Sequence, residues 1–167
     1  MSVLPSLVVL GIAALAALWL ARNRRSPIES VAERRAAARV LVLSVGIQSI
    51  HFVEELATGF HGRLGALLGL PGMPLSVFIV FNVMWIGIWI AAVPGLRSSR
   101  AAAFFASWFL AIAGMFNGIA HPLLALASDG YFPGLVSSPV IASVSIWLWL
   151  RLRRATRPVS VAGPSHP

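Results

Sequence analysis

Five long apolar runs divide this sequence, and its charged residues gather mostly in the short segments between them. The runs cover residues 3–21, 40–58, 75–93, 101–127 and 139–150. A helix needs about 20 apolar residues to cross the hydrocarbon core of a bilayer. The pattern therefore predicts an all-α fold: a polytopic membrane helix bundle with about five transmembrane helices.

The composition agrees with a membrane protein and limits its chemistry. Hydrophobic residues make up 58% of the chain and charged residues 11%, whereas a soluble domain has roughly 45–50% apolar and 25% charged residues. Because the chain has no cysteine, disulfides and thiolate ligands are excluded, and a metal would need histidine, carboxylate or amide ligands. The formal net charge of +8 comes from arginines. On a membrane protein such a charge predicts contact with anionic lipid headgroups, so membrane lipids are the predicted partners and nucleic acid is not.

The arginines also predict an orientation. If the connections alternate between the two sides of the membrane, every arginine except Arg63 falls on one side, and that side is cytoplasmic by the positive-inside rule. The N-terminus is then outside and the C-terminus inside a multi-pass protein of the cell membrane. The predicted regions are an extra N-terminal transmembrane helix (1–21), a basic cytoplasmic loop (22–39), a four-helix membrane domain (40–150) and a basic, disordered cytoplasmic tail (151–167).

The second apolar run contains polar and ionisable residues. Helical spacing places Gln48, His51, Glu54 and Glu55 on one face. A charged side chain at mid-bilayer costs about 2.5–3.5 kcal/mol on insertion scales. Two adjacent glutamates inside a span therefore predict polar partners within the bundle.

Other spans offer such partners at a similar depth. Asn117 and His121 are four residues apart on one face of the fourth run, and Asn82 lies at the same level in the third. Tyr131 follows in the next outer loop. We expect these residues to meet the polar face of the second span.

Histidine and glutamate together suit zinc or iron. The predicted metal ligands are His51, Glu54, Glu55 and His121. Either Glu54 or Glu55 is also a candidate catalytic general base. The candidates for a second shell or a substrate contact are Gln48, Asn82, Asn117 and Tyr131.

Three short motifs resemble those of a small bacterial integral membrane family named for its HXXEE motif. The motif itself is His51-Phe52-Val53-Glu54-Glu55, and the NxxxH and YxPG motifs of that family are matched at 117–121 and 131–134. The resemblance covers about 40–150 and leaves the first span as an addition. It implies a membrane location but no reaction, because the function of that family is uncharacterised.

Three kinds of function fit these patterns. The leading hypothesis is a metal-dependent enzyme acting on a lipid-like substrate near the outer face. The second is a small transporter or proton-coupled channel in which Glu54 or Glu55 cycles its proton. The third is a structural or assembly protein, in which the polar cluster only holds helices together and Gly114 and Gly118 form a GxxxG motif for a partner helix, including that of a homo-oligomer.

Overall fold

A computed structural model describes residues 4–159, and this part of the chain is almost entirely helical. The helices are α1 (Leu4–Asn23), α2 (Val31–Ala57), α3 (Phe60–Leu67), α4 (Leu75–Arg97), α5 (Ala101–Ala127) and α6 (Ser138–Ala155). Two short strands, β1 (Arg24–Arg25) and β2 (Arg157–Pro158), pair antiparallel. The predicted all-α class is confirmed.

Within residues 4–159, three helices are long and apolar enough to cross a membrane: α2, α4 and α5. The apolar stretch in the described part of α1, Leu7–Asn23, is shorter, and α6 carries three arginines towards its end. Large apolar side chains are exposed along α4, including Val80, Val83 and Ile90. A helix face of this kind is stable against lipid and unfavourable in water.

Helix α5 has the most extensive packing. It lies against α1, α4 and α6, while α2 packs mainly against α4 and α6. The GxxxG glycines of α5 face α6: a Cβ added at Gly118 would lie 2.3 Å from the Cβ of Ala142, and one at Gly114 would lie 2.0 Å from Ser145 Oγ. The GxxxG motif therefore serves a helix of the same chain.

A methyl group at Gly118 is expected to force α5 and α6 apart, because the backbone-linked Ala142 Cβ cannot swing away. We expect Gly118→Ala to destabilise the protein by about 1–3 kcal/mol. Gly87→Ala on α4 is the control, since a Cβ there meets nothing within 4 Å. Thermal unfolding in detergent compares the two variants, and equal midpoints would contradict this packing.

Helices α2 and α4 extend further than their apolar runs predict. Helix α2 begins at Val31, nine residues before the predicted span, and α4 continues past the predicted stop at Pro94-Gly95 to Arg97. A proline in the last turn removes only one helical hydrogen bond. Gly95 fits there because a Cβ would lie 2.6 Å from the Cβ of Ala103 on α5.

The tail predicted to be disordered from residue 151 is partly structured. Helix α6 runs to Ala155, with Arg153 and Arg154 in its last turn, where cations interact favourably with the helix dipole. Strand β2 follows, and residues 160–167 lie outside the described part of the chain.

The paired strands join the end of α1 to the end of α6. The Arg24 guanidinium donates to Thr156 Oγ1 at 2.9 Å, to the Thr156 carbonyl at 2.7 Å and to the Arg153 carbonyl at 3.1 Å. The amide of Val159 also donates to the Asn23 carbonyl at 2.9 Å. These bonds hold α1 to the rest of the bundle at this end.

Candidate metal centre

Three side chains from two helices form a buried group. His51 and Glu55 come from α2 and are one turn apart, and His121 comes from α5. One ligand atom from each residue lies within 4.8 Å of the others, and all three residues are buried. This group of three is the candidate metal centre.

The two imidazoles approach one carboxylate oxygen. Glu55 Oε1 lies 3.6 Å from His51 Nε2 and 3.4 Å from His121 Nε2. Ligand atoms bound to zinc at about 2.1 Å in tetrahedral geometry are about 3.4 Å apart. The oxygen is therefore spaced from both nitrogens as in a metal site.

Hydrogen bonding fixes the tautomer of His121. Its Nδ1 lies 2.6 Å from the carbonyl oxygen of Pro133. Because a carbonyl only accepts, Nδ1 carries the hydrogen and donates it. In the neutral ring the lone pair is then on Nε2, which faces Glu55.

The tautomer of His51 follows from a chain of hydrogen bonds through Ser137 and from a second bond to Asn117. The Ser137 hydroxyl donates to the Glu54 carboxylate, so its oxygen is free to accept from His51 Nδ1 at 2.7 Å. The Asn117 amide nitrogen donates to His51 Nε2 at 3.2 Å. Both histidines therefore have the tautomer that metal-binding imidazoles use, with the other nitrogen held by a protein acceptor.

Glu54, the fourth predicted ligand, lies outside this group of three. Its carboxylate accepts from the Tyr131 hydroxyl at 2.7 Å and from the backbone amides of Val136 at 3.0 Å and Ser137 at 2.8 Å, besides the Ser137 hydroxyl. These bonds hold the start of α6. Consecutive residues point about 100° apart on a helix, so only Glu55 faces the histidines.

Tyr131 is placed outside the buried group and is partly exposed. Partial burial raises the pKa of its phenol, and the hydrogen bond to Glu54 raises the pKa further. The phenol is therefore a protonated donor at neutral pH. Its role is to hold Glu54 rather than to contact the group of three.

The segment from Tyr131 to Ser137 covers the two histidines. Gly134 has a φ of +87°, and a Cβ there would lie 2.4 Å from His121 Cε1 and 2.9 Å from His51 Cε1. Only glycine satisfies both the backbone conformation and the space. Phe132 and Pro133 beside it are fully buried.

Aromatic rings close the site on the α3 side. The ring centroid of Phe60 lies 5.7 Å from that of His121 and 5.9 Å from that of Phe132. This wall is apolar and strengthens electrostatic interactions within the group of three.

The remaining predicted site residues differ in position. Asn117 reaches His51, as described above. Gln48 is buried on the same helix, one turn before His51. Asn82 donates instead to the Phe78 carbonyl of its own helix at 3.0 Å, so its amide is bound away from the group of three.

Sequence reasoning missed two contributors, Ser137 and the Pro133 carbonyl. Ser137 is the N-cap residue of α6, and Pro139 stands at the second helical position. Serine before an early proline is a helix-start signal. This signal could have placed Ser137 next to the YxPG turn, but it gives no information about the distance from Ser137 to His51.

No family model, curated protein or solved structure matches this chain. The resemblance to the HXXEE family stays a prediction from three motifs. All three motifs nevertheless contribute atoms to one site: His51 and Glu55, Asn117 and His121, and the 131–134 turn.

Proposed function

We propose that this chain is a multi-pass membrane protein in which His51, Glu55 and His121 bind one zinc or iron ion. The observation that carries the proposal is the convergence of two imidazole lone pairs on one carboxylate oxygen, at 3.6 and 3.4 Å. These electron pairs repel one another, and a cation or a proton among them would offset the repulsion more than the single Asn117 donor at His51 does. Two neutral imidazoles and a carboxylate are ligands that both metals accept.

The proposed topology has five spans, α1, α2, α4, α5 and α6, with the N-terminus outside and the basic segments in the cytoplasm. The three long apolar helices support it, as does the position of the arginines at the opposite end of α2 from the metal centre. Arg35 and His51 are 16 residues apart on α2, which is about 24 Å along the helix. The centre then lies near the outer face.

The proposed reaction is hydrolysis or oxidation of a lipid-like molecule. Three protein ligands leave coordination positions for water or substrate, and the metal would activate what binds there. The apolar surfaces of the surrounding helices favour a substrate that enters from the bilayer.

Asn117 has a defined part in this proposal. Its amide donates to His51 Nε2, the same lone pair that a metal would use. Metal binding therefore releases this donor, which is only partly buried. We assign Asn117 to orienting the substrate.

Elemental analysis of the detergent-purified protein tests the proposal. We expect about one equivalent of zinc or iron in the wild type and less than about a tenth of that in the His51→Ala, His121→Ala double variant, because one carboxylate alone binds these metals weakly. His61→Ala is the control, since His61 lies on α3 outside the group of three. Equal, near-zero metal in wild type and double variant would exclude the metal centre.

A second candidate is proton-coupled transport, favoured by one observation. Hydrogen bonds run from the partly exposed Tyr131 through Glu54 and Ser137 to the buried His51. A proton shared by Glu55 and a histidine could replace the cation there. This candidate predicts no stoichiometric metal and a pH-driven flux in vesicles that exceeds that of empty vesicles and is lost in Glu55→Gln.

A further inference from the structure

A second polar feature lies at the opposite end of the bundle from the metal centre. Arg35 and Arg39 of α2 and Arg97 at the end of α4 line a cavity of about 250 Å³. All three side chains are exposed. Three arginine side chains therefore line one cavity at the ends of two of the three long apolar helices.

In the described part of the chain, no carboxylate forms an ion pair within 4.0 Å with any of these three arginines. The ion pairs within 4.0 Å there join Glu55 to two histidines and Glu29 to Arg157. Arg35 and Arg39 are four residues apart on one helix face, where like charges repel. An anion in the cavity would relieve this repulsion.

A neighbouring arginine shows the contrast between a structural guanidinium and these three. Arg34 is buried and donates to Ser26 Oγ at 3.1 Å and to the carbonyls of Pro27 at 2.7 Å and Ile28 and Arg97 at 3.4 Å each. Its donors are used by the chain itself. By bonding the Arg97 carbonyl, it also fixes the end of α4 beside the start of α2, and so fixes the cavity.

The surface next to the cavity is apolar. Val42 and Leu43 on α2 and Ile90 on α4 are exposed, and helical spacing places them on the same faces as the arginines, within about two turns of them. A ligand with an anionic headgroup and an apolar chain would fit here, with its headgroup in the cavity and its chain on the adjoining apolar surface. A free anion would contact the arginines alone and leave the apolar surface without a partner.

We propose that Arg35, Arg39 and Arg97 bind the phosphate group of an anionic phospholipid, with its acyl chains along α2 and α4. Arginine donates through several N–H groups in a planar fork that fits phosphate oxygens. Basic pockets beside membrane helices on the cytoplasmic side commonly recognise such headgroups. This site is independent of the metal centre.

Titration of the full-length protein in detergent with dihexanoyl phosphatidylglycerol tests the proposal, with affinity read by microscale thermophoresis. The cavity variant Arg35→Gln, Arg39→Gln, Arg97→Gln is expected to bind on the order of tenfold to a hundredfold more weakly. The matched control Arg22→Gln, Arg25→Gln, Arg154→Gln removes the same charge from exposed arginines elsewhere and is expected to bind as the wild type does.

Two further titrations distinguish the sources of the phosphate. Inorganic phosphate and dihexanoyl phosphatidylcholine should both bind at least about tenfold more weakly than the anionic lipid, because one lacks acyl chains and the other has no net charge. Phosphate binding as tightly as the lipid would overturn the lipid site in favour of a free-anion site. Equal losses in the cavity and control variants, or no saturable lipid binding, would overturn the proposal outright.

Circular dichroism and metal content separate a lost site from a lost fold. The three arginines are exposed, and the cavity residues on α2 lie about 18–24 Å along that helix from His51, so both readouts should match the wild type. If the triple variant unfolds, the single variant Arg35→Gln replaces it. A single variant with unchanged lipid affinity then counts against the site.

Discussion

Gly134→Ala is expected to destabilise the protein by about 2–5 kcal/mol and to abolish metal binding. Two costs add at this position. A left-handed backbone conformation costs a non-glycine residue about 1–2 kcal/mol, and Gly134 has a φ of +87°. Inserting an atom into a packed core costs about 1–3 kcal/mol more, and here the inserted Cβ would lie 2.4 Å from His121 Cε1.

The loss of metal follows from which atoms must move. The added methyl would push against both His121 and His51, and their Nε2 atoms cannot both stay close to Glu55 Oε1 once either ring shifts. Metal content by elemental analysis and the free energy of unfolding by detergent titration measure the two effects.

Two glycines supply controls that separate these costs. Gly69 has a φ of +64° but open space around its Cβ position, so Gly69→Ala should show the backbone cost alone and keep its metal. Gly130 has open space and no positive φ, so Gly130→Ala should be close to neutral. If Gly134→Ala resembled Gly69→Ala in both stability and metal content, the turn would not cover the histidines as described.

Substituting the two adjacent glutamates is expected to give opposite results. Glu55→Gln should lose most of the bound metal with little loss of stability, because it removes the ligand charge but keeps the side-chain volume. Glu54→Gln should keep most of the metal but lose about 2–3 kcal/mol of stability. A glutamine amide donates where Glu54 must accept, so it opposes the Ser137 amide and hydroxyl.

Each variant is the control for the other, because both remove one negative charge from the same turn of α2. Bound metal and the midpoint of thermal unfolding should be measured on the same preparations. Loss of metal in Glu54→Gln equal to that in Glu55→Gln would show that both carboxylates are ligands, as the sequence analysis predicted. Unchanged stability of Glu54→Gln would contradict its role in holding α6.

The sequence was most informative where the determinant is local. The apolar runs predicted α4 and α5 closely, and α5 has the predicted bounds, Ala101–Ala127. The spacing of His51 and Glu55, and of Asn117 and His121, is a property of one helix and needs no knowledge of its neighbours.

The features that could not be predicted from the sequence depend on contacts between residues far apart in the chain. The choice between Glu54 and Glu55 is decided by α6 and its preceding turn, whose Ser137 is 83 residues from Glu54. The bond from His121 to Pro133 depends on the path of that turn. The packing of α6 against both α2 and α5 was equally hidden, because its apolar run is the shortest of the five.

The joined ends of α1 and α6 carry a consequence for biosynthesis. Arg24 and Thr156 are 132 residues apart, so the ribosome completes α6 long after α1 has been made. The β1–β2 ladder cannot form until then, and contacts between such distant residues form slowly. Helix α1 can pack on α5 earlier, but its paired end is therefore fixed only after α6 has been made.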